Sequence, residues 1–188
     1  MTRLLIIGPP GAGKGTQAAR ICERLNVPAI STGDIFRANI KEQTELGKEA
    51  QRYTDAGNLV PDSVTNSMVR DRLAQDDVNN GFLLDGYPRT VAQVEELDSI
   101  LEANGTHLDV VLLLTADNDE LVKRLLGRAQ DQGRTDDTED VIRHRLDVYD
   151  QQTAPVVGVY EKRGIVTEVD GLGDIDQVTE RIMAALAS

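Results

Sequence analysis

The sequence predicts an α/β fold, a doubly wound five-stranded parallel sheet, and three observations predict it. Five short aliphatic runs recur, at Leu4 to Ile7, Ala29 to Ser31, Phe82 to Leu84, Asp109 to Leu114 and Ile165 to Val169. Amphipathic segments separate them, and continuous β-type runs alternating with helices suit strands covered on both faces, joined by right-handed crossovers. The third observation is positional. Glycine-, aspartate- and arginine-bearing segments follow the first three runs directly, at the strand ends where open parallel sheets bind ligands.

The first element opens the chain as RLLIIGPPGAGKGT, an aliphatic stretch that ends at Gly8 and turns through a glycine-rich loop to Lys14. Gly8, Gly11, Gly13 and Gly15 remove side chains so that successive backbone N–H groups can turn toward one anion. Lys14 adds a mobile positive charge. In the following KGTQAARICERL, Ala18, Ile21, Cys22 and Leu25 recur at helical spacing, so the loop sits at a helix N-terminus, the end that favours anions. The order Gly-Lys-Gly-Thr places the hydroxyl of Thr16 one residue later than the G-x-x-x-x-G-K-[ST] phosphate-loop pattern does.

Ser31-Thr32-Gly33-Asp34 follows the second run. About fifty residues then precede the third, too many for one crossover helix, so a helical lobe is expected over 31–60 with Pro61 at its exit. The third run leads into Asp85-Gly86-Tyr87-Pro88-Arg89 and the helix VAQVEELDSIL. After the fourth run comes the helix DELVKRLLGR, then GRAQDQGRTDDTED, rich in Gly, Asp and Arg and poor in apolar residues. That stretch reads as a solvent-facing loop over a phosphate, and a short lid is expected at 127–137. The expectation is one domain over 1–188, with a core of 1–30, 61–126 and 138–188.

Composition excludes several classes of function. A net charge of −12 over 188 residues repels nucleic acid polymers and anionic membranes. The single cysteine, Cys22, excludes intramolecular disulfides and cysteine-cluster zinc sites. No apolar run reaches bilayer length and no secretory signal opens the chain, so a cytoplasmic protein is expected. The chain is also expected to act as a monomer. Aromatics are scarce and Trp is absent, so base stacking is expected to use arginine planes or aliphatic side chains more than rings.

With GPPGAGKGT, ISTGDIFR, LLDGYPRT and the arginine-bearing loop in this order, the chain resembles the adenylate kinases in their short-lid variant. These are nucleoside monophosphate kinases of the P-loop NTPase type. The resemblance covers almost the whole sequence. It implies reversible transfer of the terminal phosphoryl group of MgATP to AMP, giving two ADP, and makes 31–60 the AMP-binding lobe. It assigns Lys14, Arg89, Arg128, Arg134 and Arg145 to catalysis, and Gly11, Ala12, Gly13, Lys14, Gly15, Thr16, Arg124, Arg128 and Gly173 to ATP. AMP falls to Thr32, Arg37, Asn58, Leu59, Val60, Gly86, Tyr87, Pro88, Arg89, Gln93, Arg134 and Arg145. Asp85 orients Mg²⁺ through water, and no structural zinc is implied, because the short lid lacks the cysteines that bind zinc in long-lid relatives.

The residues suit these roles. Phosphoryl transfer needs charge neutralisation and in-line placement more than covalent help. A phosphate acceptor is already anionic, so no general base is required, in keeping with His107 and His144 lying outside every motif. The Gln93 amide both donates and accepts, as the adenine edge demands. Arg124 and Arg128 share a helix face one turn apart, and Arg143 points away from Arg145 as a surface residue. Asp136 and Asp137 either brace the lid arginines or are solvated. Asn58 departs from the basic residue of many relatives. The alternatives are a UMP/CMP kinase, which carries Asn where this chain has Thr90, and a nucleotide-sensing module without turnover.

Overall fold

A computed structural model describes residues 2–58, 60–131, 133 and 138–187. Its five strands are β1 (Thr2–Ile7), β2 (Ala29–Ser31), β3 (Gly81–Asp85), β4 (Val110–Thr115) and β5 (Val166–Asp170). They form one sheet in the order β2-β3-β1-β4-β5, all parallel. β1 is therefore central, with β3 and β4 on either side, and every strand ends at the same edge.

Successive residues of a strand face opposite sides of the sheet, and here both sides are apolar. Leu4 and Ile6 of β1, Leu83 of β3 and Leu112 and Leu114 of β4 pack with Ala18, Ile21 and Cys22 of α1 (Lys14–Leu25) on one face. Val178 and Ile182 of the C-terminal helix close that cluster. The opposite face is built from Leu5, Phe82, Leu84 and Val111. Against it lie Val64 and Met68 of α4 (Asp62–Leu73), Val94 and Leu97 of α5 (Val91–Ala103), and Val156 and Tyr160 of α7 (Glu139–Lys162). This two-sided burial is why the sequences of β1, β3 and β4 run apolar without alternation.

Between β2 and β3 the chain forms α2 (Thr32–Lys41), α3 (Glu45–Asp55), α4 and a single 3-10 turn, so the long interval is helical as expected. Hydroxyls stop the free N–H groups at several helix starts from going unpaired. Ser31 Oγ accepts from Asp34 N at 3.1 Å, Thr44 Oγ1 from Gly47 N at 3.0 Å, Thr90 Oγ1 from Gln93 N at 3.1 Å and Thr138 Oγ1 from Val141 N at 3.4 Å. α6 (Asn118–Asp131) corrects one expectation. The loop reading of 127–131 fails because the helix continues through Gly127, carried by Ala129, which is buried, and by Arg128 and Gln130, which are good helix formers. The remainder of the expected lid falls largely on residues outside those described.

The phosphate-loop helix is tied to α8 (Ile175–Ala187) by a buried polar bridge. Gln17 Nε2 donates to the Ile175 carbonyl oxygen at 3.1 Å, and the Thr179 hydroxyl lies 2.6 Å from Gln17 Oε1 and 2.9 Å from that same carbonyl oxygen. Both side chains are nearly inaccessible, at 2% and 0% exposure. Thr179→Val keeps the shape and deletes the donor, leaving a buried amide oxygen unpaired at a cost of about 1–3 kcal/mol. A urea midpoint equal to that of the unsubstituted protein would contradict this bridge.

Cys22 is buried on the same helix, and burial pushes its thiol from 9.0 up to about 11. The unfolded chain thus loses this proton first, and the thiol's contribution to stability is lost as pH rises from about 9 toward 11. In the folded protein at pH 8 Cys22 should resist a disulfide reagent for hours and react fully once denaturant is added.

Candidate active site

The phosphate loop and the segment after β3 meet at the carboxyl edge of the sheet, around a cavity of about 540 Å³. Its floor is the loop from Gly8 to Thr16, excepting Ala12, and its walls include Gly86 to Arg89, Arg128 and Arg145. Gly11 and Gly13 hold φ of 87° and 79°, left-handed values that L side chains rarely adopt, and Gly13 is the N-cap of α1. Ala12 turns the other way. It is buried with Leu121, Val122, Ile142 and Leu146, and its N–H donates within the turn to the Pro9 carbonyl oxygen at 3.2 Å. This anchoring of the loop to α6 and α7 is the role the structure gives it.

Lys14, the first residue of α1, reaches across to β3 and places Nζ 2.6 Å from Asp85 Oδ1. The register that pairs Ile6 with Asp85 and Ser31 with Asp85 puts that carboxylate at the shared edge of three strands. Thr16 lies in the same cavity, exposed.

Arg124 is half-buried, its Nη1 3.3 Å from the Gly11 carbonyl oxygen and its Nη2 3.4 Å from that of Gly173. One guanidinium thus joins the phosphate loop to the turn after β5, two segments far apart in sequence. Arg128, one turn further along α6, is exposed and lines the cavity. Arg145 reaches it from α7, where Val148, Tyr149, Gln152, Thr153 and Val156 continue the lining stripe at spacings of three and four. Sequence reading passed over that stripe, though its spacing from Arg145 was there to be used. Burial pushes the Tyr149 hydroxyl up to about 12, with Thr153 pulling the other way. Arg143 instead donates to Glu139 Oε1 at 3.0 Å and Asp119 Oδ1 at 2.9 Å, the surface position expected of it.

In the turn after β3, Arg89 Nε donates to the Gly86 carbonyl oxygen at 2.9 Å. Gly86, with φ of 88°, leaves room for Thr32, because a Cβ there would stand 2.9 Å from Thr32 Oγ1. Tyr87 and Pro88 are buried, and the Tyr87 hydroxyl donates to Asn66 Oδ1 at 2.7 Å. Gln93 is buried, with 7% exposed. Its Oε1 accepts from Arg89 N at 2.7 Å, and its Nε2 donates to Asp62 Oδ1 at 3.1 Å, a network that no sequence pattern signalled.

Arg37 does not line the cavity. It is exposed and paired with Asp34, and that guanidinium, helped by Ser31, holds the Asp34 carboxyl below the usual range. Val60 packs against the main core, and Asn58 is exposed, its N–H donating to the Tyr53 carbonyl oxygen at 2.8 Å. Leu59, Arg134, Asp136 and Asp137 lie outside the described residues. His107 and His144 are both exposed.

A family model described as adenylate kinase matches residues 6–165. The chain is 88% identical over 186 residues to the adenylate kinase of Kocuria rhizophila, covering 99% of each. It is 68% identical to that of Pseudarthrobacter chlorophenolicus and 57% identical to that of Thermobifida fusca, each over 186 residues and 99% of this chain, covering 97% and 98% of those proteins. The chain belongs to the adenylate kinase family. The matched span takes in every cavity-lining residue, from Ile6 to Val156, and stops short of Gly173.

Proposed function

We propose that this chain catalyses the reversible transfer of the terminal phosphoryl group of MgATP to AMP, giving two ADP. The observation that carries the reading is the convergence of Lys14, Arg89, Arg128 and Arg145, from four separate segments, on one cavity floored by a phosphate loop. Such a ring neutralises charge on a transferring phosphoryl group whichever way the reaction runs. The donor triphosphate lies along the loop amides and the N-terminus of α1, with Lys14 transferred from Asp85 to its outer phosphates. The donor adenine lies by Arg124 and Gly173, where the guanidinium plane offers a stacking surface.

AMP lies on the other side, its phosphate held by Arg89 and by Arg37 once that residue turns from Asp34, and its base beside Thr32 and Gln93. Arg128, Arg134 and Arg145 complete the charge around the moving group. A phosphate oxygen is the nucleophile and needs no base.

Asp85 suits a water-mediated Mg²⁺ contact. It offers hard carboxylate oxygen 2.6 Å from Lys14, which lines the cavity with Thr16, and a cation that keeps most of its waters needs no further cage. When bound, Mg²⁺ supplies charge neutralisation and orientation to the polyphosphate. Among the described residues no group of three or more His, Cys, Asp and Glu side chains is placed to hold a metal directly. The chain acts as a monomer in the cytoplasm in this reading, and its −12 charge disfavours nucleic acid polymers and anionic membranes as partners. Among the described residues no helix is long and apolar enough to cross a membrane.

Following ADP formed from MgATP with AMP, CMP, UMP or no acceptor tests the reading, and AMP should be preferred by orders of magnitude. Lys14→Met should lower kcat/KM about a hundredfold, the loss of ~3 kcal/mol of transition-state stabilisation, while a cooperative melting transition remains. Near-normal turnover would remove Lys14 from the donor site. EDTA should abolish turnover and leave the melting temperature of the protein alone unchanged. A large drop would reveal a structural metal.

A further inference from the structure

The two hydrogen bonds of Gln93 are unusual in that neither can be reversed. Asp62 Oδ1 belongs to a carboxylate, which only accepts, and Arg89 N–H only donates. The amide is therefore held one way round, Nε2 toward Asp62 and Oε1 toward Arg89. A primary amide has two donors and two lone pairs, so one N–H and one lone pair remain, and their sense is set by the partners already made. Turning the amide over would set Oε1 against a carboxylate oxygen and Nε2 against an N–H, opposing both contacts at a residue that is 7% exposed.

We propose that Asp62 is a specificity-determining positioning residue, which fixes the polarity of the Gln93 amide and thereby selects 6-aminopurine over 6-oxopurine acceptors. This rests on the reading of Gln93 as the acceptor-base contact. Adenine offers an amino donor at C6 beside an acceptor at N1, which the amide meets with Oε1 and Nε2 as held. Hypoxanthine reverses both atoms, with an oxo acceptor at C6 and a donor at N1, and pairs with the same amide only if it is flipped. Asp62 is well placed to resist the flip. It is the first residue of α4, and Asn66, one turn on along the same face, accepts from the Tyr87 hydroxyl at 2.7 Å. Helix and acceptor turn are thus joined at two points, and the carboxylate is held where Gln93 meets it.

Asp62→Asn is the informative substitution, since it keeps the shape but gives Gln93 a partner able to donate or accept, so that only Arg89 N–H still opposes the flipped form. Asp62→Ala removes the partner outright. Steady-state kcat/KM would be measured with MgATP and either AMP or inosine monophosphate, which differs from AMP only at the C6 and N1 positions in question. The ratio of AMP to inosine monophosphate should fall about tenfold in both variants, one oriented hydrogen bond's worth of discrimination, with KM for ATP unchanged. A purely structural role would scale both acceptors alike and cancel in the ratio, as would any loss of folded protein. A ratio within about twofold of the unsubstituted enzyme in both variants overturns the proposal. Gln93→Leu separates the two possible failures. If it collapses the ratio while the Asp62 variants do not, Gln93 reads the base but Asp62 does not orient it. If Gln93→Leu leaves the ratio intact, the base-contact reading falls and the proposal with it.

Discussion

Lys14 and Asp85 stand 2.6 Å apart because β1 and β3 are neighbours in a parallel sheet, and the site depends on that adjacency. The loop after β1 supplies amides and a lysine, all of them favouring anions. The end of β3 supplies a carboxylate, about a fifth exposed, which compensates that charge. An empty ring of cations would repel itself in a partly buried cavity. The ion pair relieves part of that repulsion while leaving Lys14 able to exchange one anionic partner for another, since a flexible ammonium is not bound to a single geometry as a bidentate guanidinium is. The same strand order places Arg89, four residues beyond the end of β3, in the lining of the cavity that Arg128 and Arg145 also line.

A cationic cavity within a molecule of net charge −12 requires that the acids be placed elsewhere. Several arginines outside the cavity are committed to carboxylates. Arg163 holds Asp98 through two bonds of 2.8 and 2.6 Å, Arg72 holds Asp77 through two of 2.7 and 2.8 Å, and Arg20 and Arg24 of α1 pair with Asp176 and Glu180 of α8. Most of these pairs are exposed, and each contributes little to stability. Their consequence is directional, because a guanidinium fixed on a surface carboxylate does not compete for nucleotide phosphate, and a carboxylate so paired repels it less.

The fold was legible because the central strands had to be apolar on both faces, and residues such as Leu83 to Leu84 or Val111 to Leu112 satisfy that condition whatever their neighbours do. The phosphate loop and the turn from Asp85 to Arg89 were legible because backbone geometry there demands glycine and because the strand ends fix their position. The end of α6 was misread. Gly127 and the polar residues after it resemble a loop by composition, while burial of Ala129, a tertiary fact, carries the helix on. The stripe from Val148 to Val156 escaped notice for a related reason: an uncharged residue on a long helix reads as core until the cavity beside it is known.

Gln93 marks the boundary between what composition and what packing determine. That an amide suits adenine follows from its donor and acceptor alone, and so it was visible in the sequence. Which atom faces the base does not follow, because an isolated amide presents either sense at equal cost. The sense is set by groups that cannot be reversed, the Arg89 N–H four residues upstream and the Asp62 carboxylate thirty-one residues away. Arg89 is near enough along the chain for its N–H to be brought to Gln93 by the helix start at Thr90, a local matter of capping. Asp62 arrives only because α4 packs beside α5 against the same face of the sheet, its core side chains Val64 and Met68 sharing a cluster with Val94 and Leu97. Half of the amide's polarity is thus written in a short segment, and the other half in the packing of two helices.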